Sequence, residues 1–116
     1  MEKAIKEGFI YVMSNPSMPN LYKIGRTNNL EVRRCDLSSP SGIPTPFKII
    51  YSCRVEDAES AEKAVHDSLK DYRVRKNREF FKDCSKIALI KRVRNSVPEF
   101  SEEEIEKRIQ KKVLDI

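Results

Sequence analysis

Glu62 and His66 stand four residues apart in a stretch of helical apolar spacing, so both side chains leave a helix on the same side. A carboxylate there suits a hard divalent cation, held largely through water and a phosphate. An imidazole one turn away can take or relay a proton near neutral pH. Arg26 and Arg33 add guanidiniums, each able to hold two phosphate oxygens at once. Each group also has a plainer use. Glu62 can simply pair with Lys63 or His66, the arginines can be solvated charges, and a lone histidine can serve packing.

The charge balance is compatible with an anionic partner. Lys and Arg number 23 against 18 Asp and Glu, for a net charge of +5 and an isoelectric point near 9.2. The excess is local: residues 70–94 hold ten basic residues and three acidic ones. Such a stretch either meets nucleic-acid phosphates or forms a solvated basic surface. Within it Arg73, Arg75, Lys76 and Arg78 are the candidate phosphate contacts, joined by Arg34 from an earlier segment. Cys35, Cys53 and Cys84 are widely spaced and there is one histidine, which argues against a disulfide framework and a structural zinc site. With 116 residues, 39% of them hydrophobic, the chain can bury one small core. No apolar run approaches the roughly 18 residues of a membrane span, and the first residues lack a signal-peptide core. A cytoplasmic location and no membrane partner are the expectations.

The elements that must position these groups follow from pattern. Residues 8–14 and 20–25 are β-prone and flank the turn-forming run Asn15-Pro16-Ser17-Met18-Pro19-Asn20, which predicts a hairpin with a longer loop and Gly25 at the end of its second strand. Asn28 with Glu31 resembles a capping box opening a first helix. Three prolines and a glycine make residues 38–46 a loop. Residues 47–55 form the most strand-like run. Asp57 then caps a second helix with Ala58, Ala61, Val65 and Leu69 along one stripe. Phe80 and Phe81 are expected core anchors, and Ser85 opens a third helix with Ile87, Ile90 and Val93 to one side, ended by Pro98. Ser101 and Glu104 open a tail helix carrying Ile105, Ile109 and Val113. The expected fold class is α/β (α+β): β-β-α-β-α with a three-stranded, mainly antiparallel sheet flanked by helices, plus C-terminal helices. Residues 1–95 would form the domain, and residues 96–116 a helical extension on or beside it, with a homodimer through that last helix as one option.

The ordered set Gly8-Phe9-Ile10-Tyr11-Val12, Tyr22-Lys23-Ile24-Gly25-Arg26-Thr27 and Arg33 resembles the GIY-YIG endonuclease superfamily. Glu62, on the helix after the third strand, completes the pattern. The likeness is greatest to a small phage-type branch with a K-I-G second motif, an E-x-x-x-H element (Glu62 and His66) and R-E-F-F. It covers about residues 8–83. The resemblance implies an endonuclease that hydrolyses DNA phosphodiesters with Mg²⁺ (or Mn²⁺). It implies that Tyr11 acts as a base on the attacking water or positions it, Arg26 and Arg33 hold the phosphate, Glu62 binds the metal and His66 assists. A free phenol has a pKa near 10, so Tyr11 needs neighbouring cations, which Arg26 and Arg33 could supply. The family's second tyrosine stands two residues before the glycine, where this chain has Lys23, with Tyr22 one earlier. Strand alternation puts Lys23 on the face of Gly25, so either Lys23 replaces the tyrosine or a bulge brings Tyr22 in. The aromatic or histidine one turn beyond the arginine is Leu37, and the late asparagine has only Asn77 or Glu79 as counterparts. A catalytically weak or inactive DNA-binding module of the same fold is the alternative.

Overall fold

A computed structural model describes residues 7–74, 80–82 and 85–97. Strands β1 (Gly8–Ser14) and β2 (Leu21–Thr27) form the expected hairpin, in unbroken register from Phe9 opposite Thr27 to Ser14 opposite Tyr22. Its loop contains Asn20 at φ 67°, the left-handed region that Asn tolerates better than most residues. Gly25 does not end β2; it sits inside the strand, directly opposite Tyr11. Helix α1 (Leu30–Ser38), strand β3 (Lys48–Val55), helix α2 (Ala58–Ser68), a 3₁₀ turn (Lys70–Tyr72), strand β4 (Phe80–Lys82) and helix α3 (Lys86–Ser96) follow. The sheet is antiparallel throughout, ordered β3-β1-β2-β4. It has four strands, one more than the sequence suggests, because β4 is only three residues long and shows too little alternation to be read from pattern.

Side-chain caps start the helices. The Asp57 carboxylate accepts from the Ser60 amide at 3.2 Å and the Ser85 hydroxyl from the Ala88 amide at 3.3 Å, both as expected. The α1 cap is Asn29 rather than Asn28: its Oδ1 accepts from the Val32 amide at 3.1 Å. Thr27 sets this phase, since its hydroxyl oxygen accepts from the Asn29 amide at 3.1 Å and ties strand end to helix start. Glu31 consequently turns to Arg34 instead of closing a capping box.

Strand β1 lies between β2 and β3, and Ile10, Tyr11, Val12 and Met13 are all fully buried. Alternation sends them to two cores. Ile10 and Val12 join Tyr22, Ile24 and Phe81 under the α2 stripe of Ala58, Ala61 and Val65, continued by Leu69 just past the helix. Tyr11 and Met13 join Phe47 on the opposite face, covered by Leu30, Leu37, Ile43 and Phe80. Helix α3 closes the first core with Leu89 and Val93, and Val97 follows just beyond it. Ile87 is 66% exposed, so the expected stripe of Ile87, Ile90 and Val93 is shifted: a helix that starts at the Ser85 cap turns residues 89, 93 and 97 inward. Among the described residues no helix is long and apolar enough to cross a membrane.

Two features fix the frame around the Tyr11 face. A Cβ on Gly8 would lie 2.9 Å from the Thr27 carbonyl oxygen and 3.0 Å from the Ala58 Cβ, so only glycine lets β1 start this close to β2 and α2. Asn15, 3% exposed, donates from Nδ2 to the Thr45 carbonyl at 2.7 Å and accepts at Oδ1 from the Ser17 amide at 2.9 Å and from the Thr45 hydroxyl. Ser38 anchors the other end of that loop, its hydroxyl donating to the Arg34 carbonyl at 2.7 Å and accepting from the Phe47 amide at 2.9 Å. The loop from 39 to 46 is thereby pinned at both ends.

Urea denaturation checks both features. Gly8→Ala is expected to cost about 1–3 kcal/mol through overpacking. Asn15→Ala is expected to cost about 1–3 kcal/mol because the bonds of the buried amide to Thr45 and Ser17 are lost. Midpoints unchanged from the parent protein would refute either assignment.

Candidate functional site

The residues proposed from sequence fall into two groups separated by the thickness of the sheet. On the α1 face, the Tyr11 hydroxyl accepts a hydrogen bond from Arg33 Nε at 3.3 Å. Arg33 reaches it from the first turn of α1, whose direction is set by the Thr27–Asn29 connection. Lys23 is on this face too, because it pairs with Met13 and lies diagonal to Tyr11 in an unshifted register. Its Nζ lies 5.0 Å from the centroid of the Phe80 ring. Gly25, directly across from Tyr11, presents no side chain to compete for that position. The phenol therefore contacts a cation, as its use as a base at neutral pH requires. Tyr11 is nonetheless fully buried, with Arg33 against its hydroxyl.

Tyr22 is not part of this group. No bulge interrupts the β1–β2 pairing, and Tyr22, 8% exposed, packs in the α2-side core opposite Phe81. Of the two alternatives left open by the sequence, Lys23 is the one that shares a face with Tyr11. Leu37, one turn beyond Arg33, packs against the Tyr11 core.

On the α2 face, Arg26 pairs with Ile10 across the hairpin, and its Nε lies 3.5 Å from Glu62 Oε1. Glu62 occupies the border of the buried face, its side chain 19% exposed and that of Arg26 39%. Its ion partner is thus neither Lys63 nor His66. His66 Nε2 lies 2.8 Å from the Ile24 carbonyl oxygen; since a carbonyl only accepts, this nitrogen carries the proton and donates. The imidazole also packs against Phe81, centroids 5.1 Å apart. His66 consequently fastens α2 to β2. As a metal site the arrangement offers one carboxylate: among the described residues no three His, Cys, Asp or Glu side chains converge. That donor set fits Mg²⁺, which takes one or two carboxylates and completes its shell with water and substrate phosphate. The contact with Arg26 is long and leaves the second carboxylate oxygen without a partner among the described residues.

The candidate phosphate contacts are differently disposed. Arg34 is held by Glu31, with Nη2 to Oε1 at 2.5 Å and Nε to Oε2 at 3.0 Å, and also donates to the Phe47 carbonyl at 3.4 Å. Its hydrogen bonds hold the Glu31 carboxyl below its ordinary range, and the same bonds raise the Arg34 guanidinium above its own. Arg73 stacks over Phe81 at 5.8 Å, and Arg92 over Tyr72 at 4.8 Å. Arg75, Lys76, Arg78, Asn77 and Glu79 lie outside the described residues, as do Cys84 and the tail helix expected to mediate a homodimer.

Phe80 is the residue whose place the sequence reading missed. The sequence predicts Phe80 and Phe81 together as core anchors, but neighbours on a strand face opposite ways: Phe81 enters the α2-side core, and half-buried Phe80 packs against the Tyr11 core under Lys23. The signal was available in the adjacency itself, once residues 80–82 are recognised as a strand.

His66→Ala should lower stability by about 1–3 kcal/mol, through the lost bond to Ile24 and the lost packing on Phe81. Thermal unfolding reads this directly, and an unchanged midpoint would mean that the imidazole has no structural role.

Comparison with curated proteins and with solved structures returned no match. A family model does match: that of the T5orf172 domain, a domain found in phage-type nuclease-like proteins, fits residues 8–101. That span runs from the first residue of β1 past the end of α3 and takes in both groups of side chains. The chain therefore belongs to the T5orf172 domain family.

Proposed function

We propose that the protein is a divalent-metal-dependent endonuclease of GIY-YIG type, acting on DNA in the cytoplasm by water attack on a phosphodiester. The observation that carries this reading is the Arg33 Nε–Tyr11 hydroxyl contact at 3.3 Å, with Lys23 on the same face. The membership of a domain family found in nuclease-like proteins supports it.

A phosphate arriving beside β2 offers Arg33 a stronger, charge-assisted partner than a neutral phenol. Arg33 swings its Nη groups to the phosphate while Nε stays against the Tyr11 oxygen, which opens that oxygen to water. Beside the cation the phenol gives its proton to solvent, and the phenolate takes the proton of the attacking water as the water oxygen bonds to phosphorus and the ester oxygen departs. Lys23 faces the charge that grows on the phosphorus-bound oxygens, a role a lysine fills as a point charge and a second tyrosine would fill by hydrogen bonding. Arg26 follows Gly25 in the strand, so it approaches the same phosphate from the other side of β2 and brings Glu62 with it. Glu62 would hold Mg²⁺ or Mn²⁺, which when bound supplies charge neutralisation at the phosphate. His66 supports this side by holding α2 against β2.

The second reading, a catalytically weak or inactive DNA-binding module, is favoured by one observation: Tyr11 is fully buried while Glu62 is paired with Arg26 on the opposite face. Nicking of supercoiled plasmid with Mg²⁺ or Mn²⁺, against EDTA, separates the two. Metal-dependent nicking is expected, slowed about 10²–10⁴-fold by Tyr11→Phe and removed by Glu62→Ala with DNA binding intact or stronger. Salt-sensitive DNA binding without any nicking would establish the binding module. Loss of binding together with nicking in Glu62→Ala would overturn the assignment of Glu62.

A further inference from the structure

We infer that Phe80 is a positioning residue for the Lys23 ammonium, a platform that fixes its charge on the Tyr11 face. The inference rests on the nuclease reading for its chemistry but not for its geometry. Lys23 and Phe80 are direct cross-strand partners on β2 and β4. The Lys23 Nζ sits 5.0 Å from the ring centroid, inside the range in which the negative face of an aromatic ring attracts a cation. Phe80 is itself held, packed against the core of Tyr11, Met13 and Phe47 and flanked in sequence by Phe81, which is fully buried on the other face.

The ring thus does two things at once. Its packed side closes the hydrocarbon surroundings of Tyr11, and its face adds a restraint on the four-carbon stem of Lys23. A lysine ammonium lacks the planar fork that lets an arginine pre-orient itself, so the groups around it place it, the Phe80 ring among them. The strand that pairs with Lys23 thus adds rigidity to its stem. The short strand β4 then has a role in the site as well as in the sheet.

The test uses the full chain with ¹³C-labelled lysine. One lysine ε-methylene correlation should lie upfield of the others through the ring current of Phe80 and should vanish in Lys23→Arg. Phe80→Leu should return it to the position of the other lysines, while Phe80→Trp should keep it displaced. On plasmid DNA, Phe80→Leu should slow nicking at saturating DNA about three- to fivefold, the loss expected from one cation–aromatic contact, with Phe80→Trp near the parent rate. A displaced correlation that persists in Phe80→Leu, or none in the parent protein, would overturn the inference. Equal slowing by Leu and Trp would also overturn it, since that would assign Phe80 to packing alone. A parent protein that shows the displaced signal but never nicks DNA would sink the nuclease reading while upholding the platform.

Discussion

The burial of β1 on both of its faces is the constraint from which the rest follows. Strand alternation leaves Tyr11 no choice of side once Ile10 and Val12 enter the core under α2. The phenol must then be enclosed by whatever covers the opposite face, which is α1, the pinned loop after it and Phe80. Enclosure in hydrocarbon demands a partner for the hydroxyl. Arg33 provides it, and in doing so brings a guanidinium against the buried phenol.

The same alternation separates the charged residues. Successive residues of β2 serve different faces: Lys23 and Gly25 lie with Tyr11, Ile24 and Arg26 with α2. Glu62 follows Arg26 because α2 packs there, and His66 fixes that packing through the Ile24 carbonyl. The sheet therefore presents a phenol–guanidinium pair on one side and a carboxylate–guanidinium pair on the other, with Arg26 next along β2 to Gly25, the cross-strand partner of Tyr11. Gly8 lets the strands and α2 come together closely enough for this, its missing Cβ being the clearance between Thr27 and Ala58.

Much of this was legible in the sequence, because it rests on short-range rules. The hairpin, the Asp57 and Ser85 caps and the α2 stripe all follow from local spacing. So does the placement of Lys23 with Gly25, and the continuous register excludes the bulge that would have brought Tyr22 in. What was not legible depends on contacts distant in sequence. Phe80 could be assigned to a face only by its pairing with Lys23, 57 positions away (80 − 23). Glu62 found Arg26 rather than its helical neighbours because β2 runs beneath α2. The cap of α1 moved by one residue because the Thr27 hydroxyl fixes the turn before it.

Tyr11 and Arg33 are proposed to work as a single functional unit, and a double-mutant cycle on the plasmid-nicking rate tests this most directly. Tyr11→Phe keeps the ring and Arg33→Lys keeps the charge, so each removes little beyond the contact itself. If the two act together, the double variant should be about as slow as the slower single variant, as for residues that work as one unit. Rate losses that simply multiply would show two independent residues and contradict the proposed Tyr11–Arg33 unit.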